Sequence, residues 1–332
     1  MKKILSLLLA LTLLAALPLL SACGKVDKEL PIRVWTLNGT TGFGMAQLMD
    51  ADTKNEAALN YEFTVEKDAS NVQLALTNGT ADIAALPTNA ASALYNKSNG
   101  EIVLLALNTR GVLYLVANTA RVAAPTSLSD LSGKTVYCPA SNPTFITQAL
   151  LEKAGVSVTL DSTTFADPTV LRDAVASGSA DGVNVDYAIL PEPMVTIAAT
   201  KAAQQNTGAV PTVALDMTAE WDKHFTEGSL VQGCVVARKA FVEEHPNEIK
   251  KFLKEYKASI NFVVENPAEA SQMIATAGIF AQAPVAEKAI PKCNFCYLDG
   301  RDMKTAMEAF LAAMPVKSIG GALPAADFYY GA

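Results

Sequence analysis

Histidine is nearly missing from this chain: 332 residues include two. So few argue against a multi-histidine metal centre, and neither His224 nor His245 has an evident partner. His245 stands before Pro246 where a helix would begin, which is a structural place. Charge is scarce too, at 18% against about 25% in an average soluble chain. Half the residues are hydrophobic, and that excludes a disordered polymer. A basic excess is lacking: 33 acidic residues face 26 basic ones, for a net charge of −7. Nucleic-acid binders need a basic face, so none is expected as a partner. Enzyme signatures are missing as well. There is no Gly-x-Ser-x-Gly elbow and no His-Glu-x-x-His helix. Gly133-Lys134-Thr135 imitates the end of a P-loop, but Leu128 stands where its first glycine belongs and a strand follows instead of a helix. The glycines of Gly39-Thr40-Thr41-Gly42-Phe43-Gly44 are wrongly spaced for a dinucleotide fingerprint. Nothing points to a cofactor.

What is present starts with an address. Lys2 and Lys3, the apolar run Ile4 to Leu20 and the small residues after it have the layout of a secretory signal peptide over residues 1–22. The run is short for a membrane anchor and holds Pro18 near its end. Leu20-Ser21-Ala22-Cys23-Gly24 resembles the bacterial lipobox. That resemblance implies acylation of Cys23, which would open the mature chain and tie it to a membrane through the polar tether 23–30. More than one acyl chain would be needed for a firm hold, since one binds marginally. No second apolar run is long enough to span a bilayer.

Four cysteines remain. Cys138 and Cys234 read as small apolar strand residues. Cys293-Asn294-Phe295-Cys296 has redox spacing but lacks the strand-to-helix setting of a thioredoxin-like motif. It reads as structural, with a local disulfide as one form.

Along the body, strands alternate with helices, which argues for α/β layering. Strands are expected at Ile32 to Leu37, Tyr61 to Val65, Asp82 to Pro87, Ile102 to Leu107 and Val112 to Ala117, then at Thr135 to Cys138, Val156 to Leu160, Asp186 to Pro191, Val213 to Met217 and Gly233 to Ala237. Helices are expected at Phe43 to Ala51, Val72 to Leu76, Asn89 to Tyr95, Thr144 to Lys153 and Thr169 to Ser177. The last third reads as helical. Ile249, Phe252, Leu253, Tyr256, Ile260 and Val263 fall at helical spacing, and Asn266-Pro267 offers an N-cap and first-turn proline for the next helix.

One echo organises all this. Asp82-x-Ala84-x-Leu86-Pro87 recurs as Asp186-x-Ala188-x-Leu190-Pro191, in the same order of surrounding elements. Two lobes of similar topology follow. In open α/β sheets ligands bind beyond the carboxyl ends of strands, so two facing lobes would make a cleft.

Cys23, Asp130-Leu131-Ser132-Gly133-Lys134, the doubled strands and Leu190-Pro191-Glu192-Pro193 together resemble solute-binding lipoproteins of ABC importers, of the nitrate/sulfonate/bicarbonate and thiamine-precursor group. The resemblance implies an α/β, two-lobed, type II periplasmic-binding-protein fold with its ligand cleft between the lobes. Lobe I would hold residues 31–117 and 236–332, and lobe II residues 118–235. The crossovers would lie near Val116 to Thr119 and Gly233 to Val236. It further implies a monomer that takes a small polar organic or anionic solute by hinge closure and docks on a membrane permease. Some relatives with this fold are enzymes acting on vitamin precursors. That alternative stays open, as does a tethered sensor, although an intracellular enzyme has no use for a lipobox.

Ligand contacts are expected at the strand ends. Asn38, Thr40 and Thr41 follow the first strand where a helix opens, and free amides there favour an anion or a carbonyl oxygen. Ser141, Asn142 and Thr144 occupy the matching loop of the second lobe. Thr88 and Asn89 follow one repeat strand, and Glu192 follows the other. Glu192 has two readings: a cleft group, or a helix-start acid beside Pro193. Asn108 and Arg110 end a further strand, and Arg110 would pair with an anionic ligand. Phe43 and Phe145 are candidate apolar walls, with core packing as the other reading, and Trp221 is a wall or cap.

Overall fold

The computed structural model describes residues 26–332. The signal segment, Cys23 and the first tether residues lie outside the described residues. Two sheets organise the chain. The first contains β1 (Pro31–Leu37), β2 (Asn60–Glu66), β3 (Ile83–Pro87), β4 (Ile102–Arg110), β12 (Val231–Arg238) and β13 (Phe295–Leu298), in the order β13-β4-β12-β3-β1-β2. The second contains β5 (Leu113–Asn118), β6 (Thr135–Tyr137), β7 (Thr159–Asp161), β10 (Tyr187–Pro191) and β11 (Pro211–Asp216), in the order β11-β5-β10-β6-β7. A small hairpin, β8 (Ser179–Ala180) with β9 (Val183–Asn184), stands apart.

The two orders superpose: β4-β12-β3-β1-β2 against β11-β5-β10-β6-β7. In each, the strand ending in Leu-Pro has a parallel neighbour on one side, β1 or β6, and an antiparallel one on the other, β12 or β5. The antiparallel strand is in both cases the one that carries the chain between sheets. Crossing therefore occurs at 111–112 and at 225–230. This is earlier than the expected Val116 to Thr119 and Gly233 to Val236, so β5 pairs within the second sheet and all of β12 within the first. Apolar runs buried on both faces look alike whichever sheet they join, so their pattern carries no sheet membership.

Helices cover the sheets: α1 (Thr40–Phe43), α2 (Ala46–Thr53), α3 (Ala69–Asn78), α4 (Thr88–Lys97), α5 (Asn142–Ala154), α6 (Pro168–Ser177), α7 (Met194–Gln205), α8 (Met217–His224), α9 (Lys239–Glu244), α10 (Pro246–Glu265), α11 (Pro267–Thr276), α12 (Ala283–Ala289) and α13 (Gly300–Ala313). The apolar stripe of α10, with Phe252, Tyr256 and Ile260, packs against Ile32, Val34, Ile83 and Val235. Each such side chain contributes about 1.5–3 kcal/mol by leaving water. A second cluster joins Leu86, Leu107 and Val236 to Leu76, Leu94 and Phe310, and runs on through Leu115, Ile146 and Trp221 into the second unit.

Three local expectations change. The helix expected over Phe43 to Ala51 is split into α1 and α2. At the break Gly44 lies so close to α10 that a Cβ there would stand 2.9 Å from Ile260 Cγ1, and the Ser259 hydroxyl donates to the Gly44 carbonyl at 2.7 Å while accepting from the Leu48 amide. Asn266 holds the N-cap position of α11 ahead of Pro267 but gives it no side-chain hydrogen bond; its amide donates back to Phe262 O at 3.2 Å. The helical last third contains β13, which pairs with β4 at the edge of the first sheet. Cys293 and Cys296 are separate thiols. Cys293 is buried and donates to Ala289 O, while burial pushes the Cys296 thiol up to about 11 despite Arg110 beside it. Among the described residues no helix is long and apolar enough to cross a membrane.

Candidate functional site

Strand register decides which ends of the sheets meet. Pro87 pairs with Gly233 near the start of β12, and Pro191 pairs with Leu113 at the start of β5. β12 and β5 begin where the chain enters each sheet, so the carboxyl ends of β3 and β10 both lie at the junction. β1 and β6 run parallel to them and end there too. The segments after these four strands, with the end of β4, therefore gather where the units join.

On the first unit, Asn38 is exposed and its backbone amide donates to Glu66 O at 2.8 Å. Thr40 and Thr41 open a single helical turn whose N-cap, Gly39 at φ 84°, supplies no capping side chain. Asn89 is half-buried, and its Oδ1 is buried without a hydrogen-bond partner. Several expectations need correction here. Phe43 is no cleft wall: it is fully buried, with ring centroids 6.0 Å from Phe280 and 6.2 Å from Phe295. Thr88 is fully buried and its hydroxyl proton goes to Val231 O at 2.7 Å. Asn108 has both ends of its amide engaged, donating to the Tyr256 hydroxyl at 2.8 Å and to Thr41 O at 3.4 Å, and accepting from Thr109 Oγ1 at 2.9 Å. It ties β4 to α1 and α10. Arg110, the last residue of β4, lines a hollow of about 420 Å³ with Asp302 and with Thr226, Gly228 and Ser229 of the second crossing. Trp221 is core, stacked on Phe225 with its indole N–H donating to Ser229 Oγ.

On the second unit, Ser141 is exposed at φ 68° just before α5. Asn142 follows, and its Oδ1 is also buried without a partner. The Thr144 hydroxyl is spent on Pro139 O at 2.7 Å, a correction to its expected role. Phe145 is half-buried and packs against the core cluster that spans both units. Glu192 is buried, and its carboxylate serves the helix-start reading. It caps α7, accepting from the Thr196 amide at 3.2 Å and the Thr196 hydroxyl at 3.0 Å. It also faces the first unit, where Lys292 Nζ lies 3.7 Å from Oε1. Burial raises its carboxyl above the usual range, and the Thr196 hydrogen bonds and Lys292 offset this only in part.

The sequence reading missed Thr36, whose buried Oγ1 also lacks a partner. A signal existed: Ile32, Val34 and Thr36 alternate on one side of β1, so a hydroxyl follows two core positions. Tyr114 and Lys292 were missed too, and nothing local marks either. Thr36, Asn89 and Asn142 thus each leave a buried oxygen unsatisfied at the carboxyl end of a strand or the start of the helix after it. Buried polar atoms are rarely left so without reason; hydroxyl and amide groups both donate and accept, so these suit a small polar solute.

The sequence pattern of the NMT1/THI5 like family matches residues 55–270, and the chain belongs to that family. Among solved structures it is similar to an ABC transporter from Parabacteroides distasonis, with 25% identity and a TM-score of 0.74 over 91% of this chain and 99% of that one. It is also similar to the periplasmic aliphatic sulphonate binding protein SsuA of Escherichia coli, at 16% identity and a TM-score of 0.63 over 85% of each chain. The Candida albicans CA3427 gene product, which exhibits the generic periplasmic binding protein fold, matches at 16% identity and a TM-score of 0.55 over 90% of this chain and 93% of that one. The fold is that of periplasmic binding proteins. No curated protein matches.

Proposed function

We propose that this chain is the extracytoplasmic solute-binding component of an ABC importer, a binder and not an enzyme. Two lobes close on a small polar organic or anionic solute at the junction, and the closed form docks on a membrane permease. The observation that carries the reading is the meeting of four strand ends from two like-ordered sheets. The sulphonate binding of SsuA and the likeness to the Parabacteroides ABC transporter support it. Asn38, Thr40, Thr41, Asn89, Ser141 and Asn142, with Thr36 added, are the proposed contacts. A few fixed polar groups of this kind orient a solute in an otherwise apolar pocket. Lipidation at Cys23 and life as an anchored monomer complete the reading.

Native mass spectrometry of the purified protein should reveal a bound small molecule, absent from Asn89→Ala and Asn142→Ala variants. Sulfonates, nitrate, pyrimidines and amino acids would then be screened for a rise in melting temperature. A ligand at a hundred times its Kd adds about 2.7 kcal/mol of stability. A chain that carries nothing and responds to none of these classes would count against the reading. For the anchor, Cys23→Ser should release the protein from membranes.

A further inference from the structure

The segment Ala283–Lys292, made of α12 and a 3₁₀ turn at Ile290–Lys292, belongs to the first unit by its packing. Ala286 and Ile290 share one apolar cluster with Phe43, Ala270 and Ile274. Its other side meets the second unit. Lys292 Nζ approaches Glu192 Oε1 at 3.7 Å, and the Lys292 carbonyl accepts the Tyr114 hydroxyl at 2.7 Å. Gln282 and Val285 close a cavity of about 270 Å³ against Arg172, Ile197 and Lys201 of α6 and α7. Beside these contacts Val112, Ala289 and Cys293 form a small apolar cluster.

Exposure makes this seam conditional. The Glu192 side chain has no exposure, while that of Lys292 is 50% exposed. With the units apart, water would solvate Glu192. With the units together, that water is gone and a cation or a proton must replace it, because a buried carboxylate without a counter-ion is strongly unfavourable. The titratable groups beside Glu192 are Lys292, the Cys293 thiol and the Tyr114 phenol. Lys292 is the cation among them. We propose that Lys292 is a closure latch: a positioning residue whose ammonium makes burial of Glu192 tolerable and whose carbonyl engages Tyr114, so that the units hold together in the arrangement that assembles the ligand site. The proposal rests on the receptor reading above for its purpose, but its test needs no ligand.

Small-angle scattering of the unliganded protein supplies that test. Lys292→Met should shift the profile to a larger radius of gyration, because closing would bury an uncompensated carboxylate. Lys292→Arg should restore the wild-type profile. The Lys292→Met shift should vanish in a Glu192→Gln background, where no charge needs a partner; a merely structural lysine would not show that dependence. Tyr114→Phe leaves every charge in place and should shift the profile the same way by less. Lys239→Met, which breaks an exposed pair with Asp327 inside the first unit, should leave it unchanged. A Lys292→Met profile that overlays the wild type, or a shift that persists undiminished with Glu192→Gln, overturns the latch. Failure of the receptor reading would appear separately, as the lack of any bound solute.

Discussion

Strands β3 and β10 carry the same Asp-x-Ala-x-Leu-Pro string and hold the same place in their sheets, yet both of their ends are used differently. At the start of β3, Asp82 is buried and takes two arginines. Arg33 donates through Nε and Nη2 at 2.9 and 2.6 Å, and Arg238 through Nη2 at 2.6 Å. Burial raises its carboxyl, but these hydrogen bonds outweigh that and leave it below the usual range. At the start of β10, the Asp186 side chain is 39% exposed and takes Arg121 alone. At the far ends, Thr88 binds backbone within its own unit, whereas Glu192 reaches toward the other. A repeated string sets where a strand starts and stops; what its polar ends do depends on the neighbours each sheet supplies.

The largest test of this difference is Asp82→Asn against Asp186→Asn. Removing the buried acid leaves two guanidinium groups without their carboxylate and should cost about 3 kcal/mol, read as a lower urea midpoint. Equal losses at the two sites would erase the distinction. Thr88→Val comes next. It strands the Val231 carbonyl and should cost about 1.5 kcal/mol, with little loss if water reaches that oxygen.

Acid separates Asp82 and Glu192 by sign. Folded Asp82 holds its proton less tightly than the unfolded chain does, so its contribution is complete above the usual carboxylate range and is lost as pH falls through its lowered native value. Folded Glu192 holds its proton more tightly. Its contribution is present at acid pH and lost as pH rises through its raised native value. Urea midpoints between pH 3 and 7 should therefore fall less on acidification in Asp82→Asn than in wild type, and more in Glu192→Gln. Slopes that change in the same direction would contradict the assignment. Smallest is Asp186→Asn itself, expected below about 1 kcal/mol for an exposed pair.

The sheet-forming segments were readable because alternation, Gly79 and Gly155 at helix ends, and the Asp and Pro boundaries are local signals. β13 was not. Its four residues sit in a helical context and become a strand only because the edge of β4 is open to them. At the candidate site, position proved readable and availability did not. Thr88, Asn108 and Thr144 stand at strand ends where ligand contacts were expected, yet each is engaged by the protein itself. Phe43 shows the same limit for an apolar group, since a one-turn helix directs it to α11 and α12 instead of the junction.

By itself the amino-acid order determined the α/β class and the doubled strand motif, since these rest on spacings within a few residues or on an internal repeat, and it carried the resemblance to the family. Tertiary structure alone decided where the chain changes sheets, which polar groups at the junction stay unpartnered, and that Lys292 meets Glu192. The reason is one of distance along the chain. The partner of Thr88 is 143 residues away and that of Asn108 is 148, and no local pattern says which side chain will arrive.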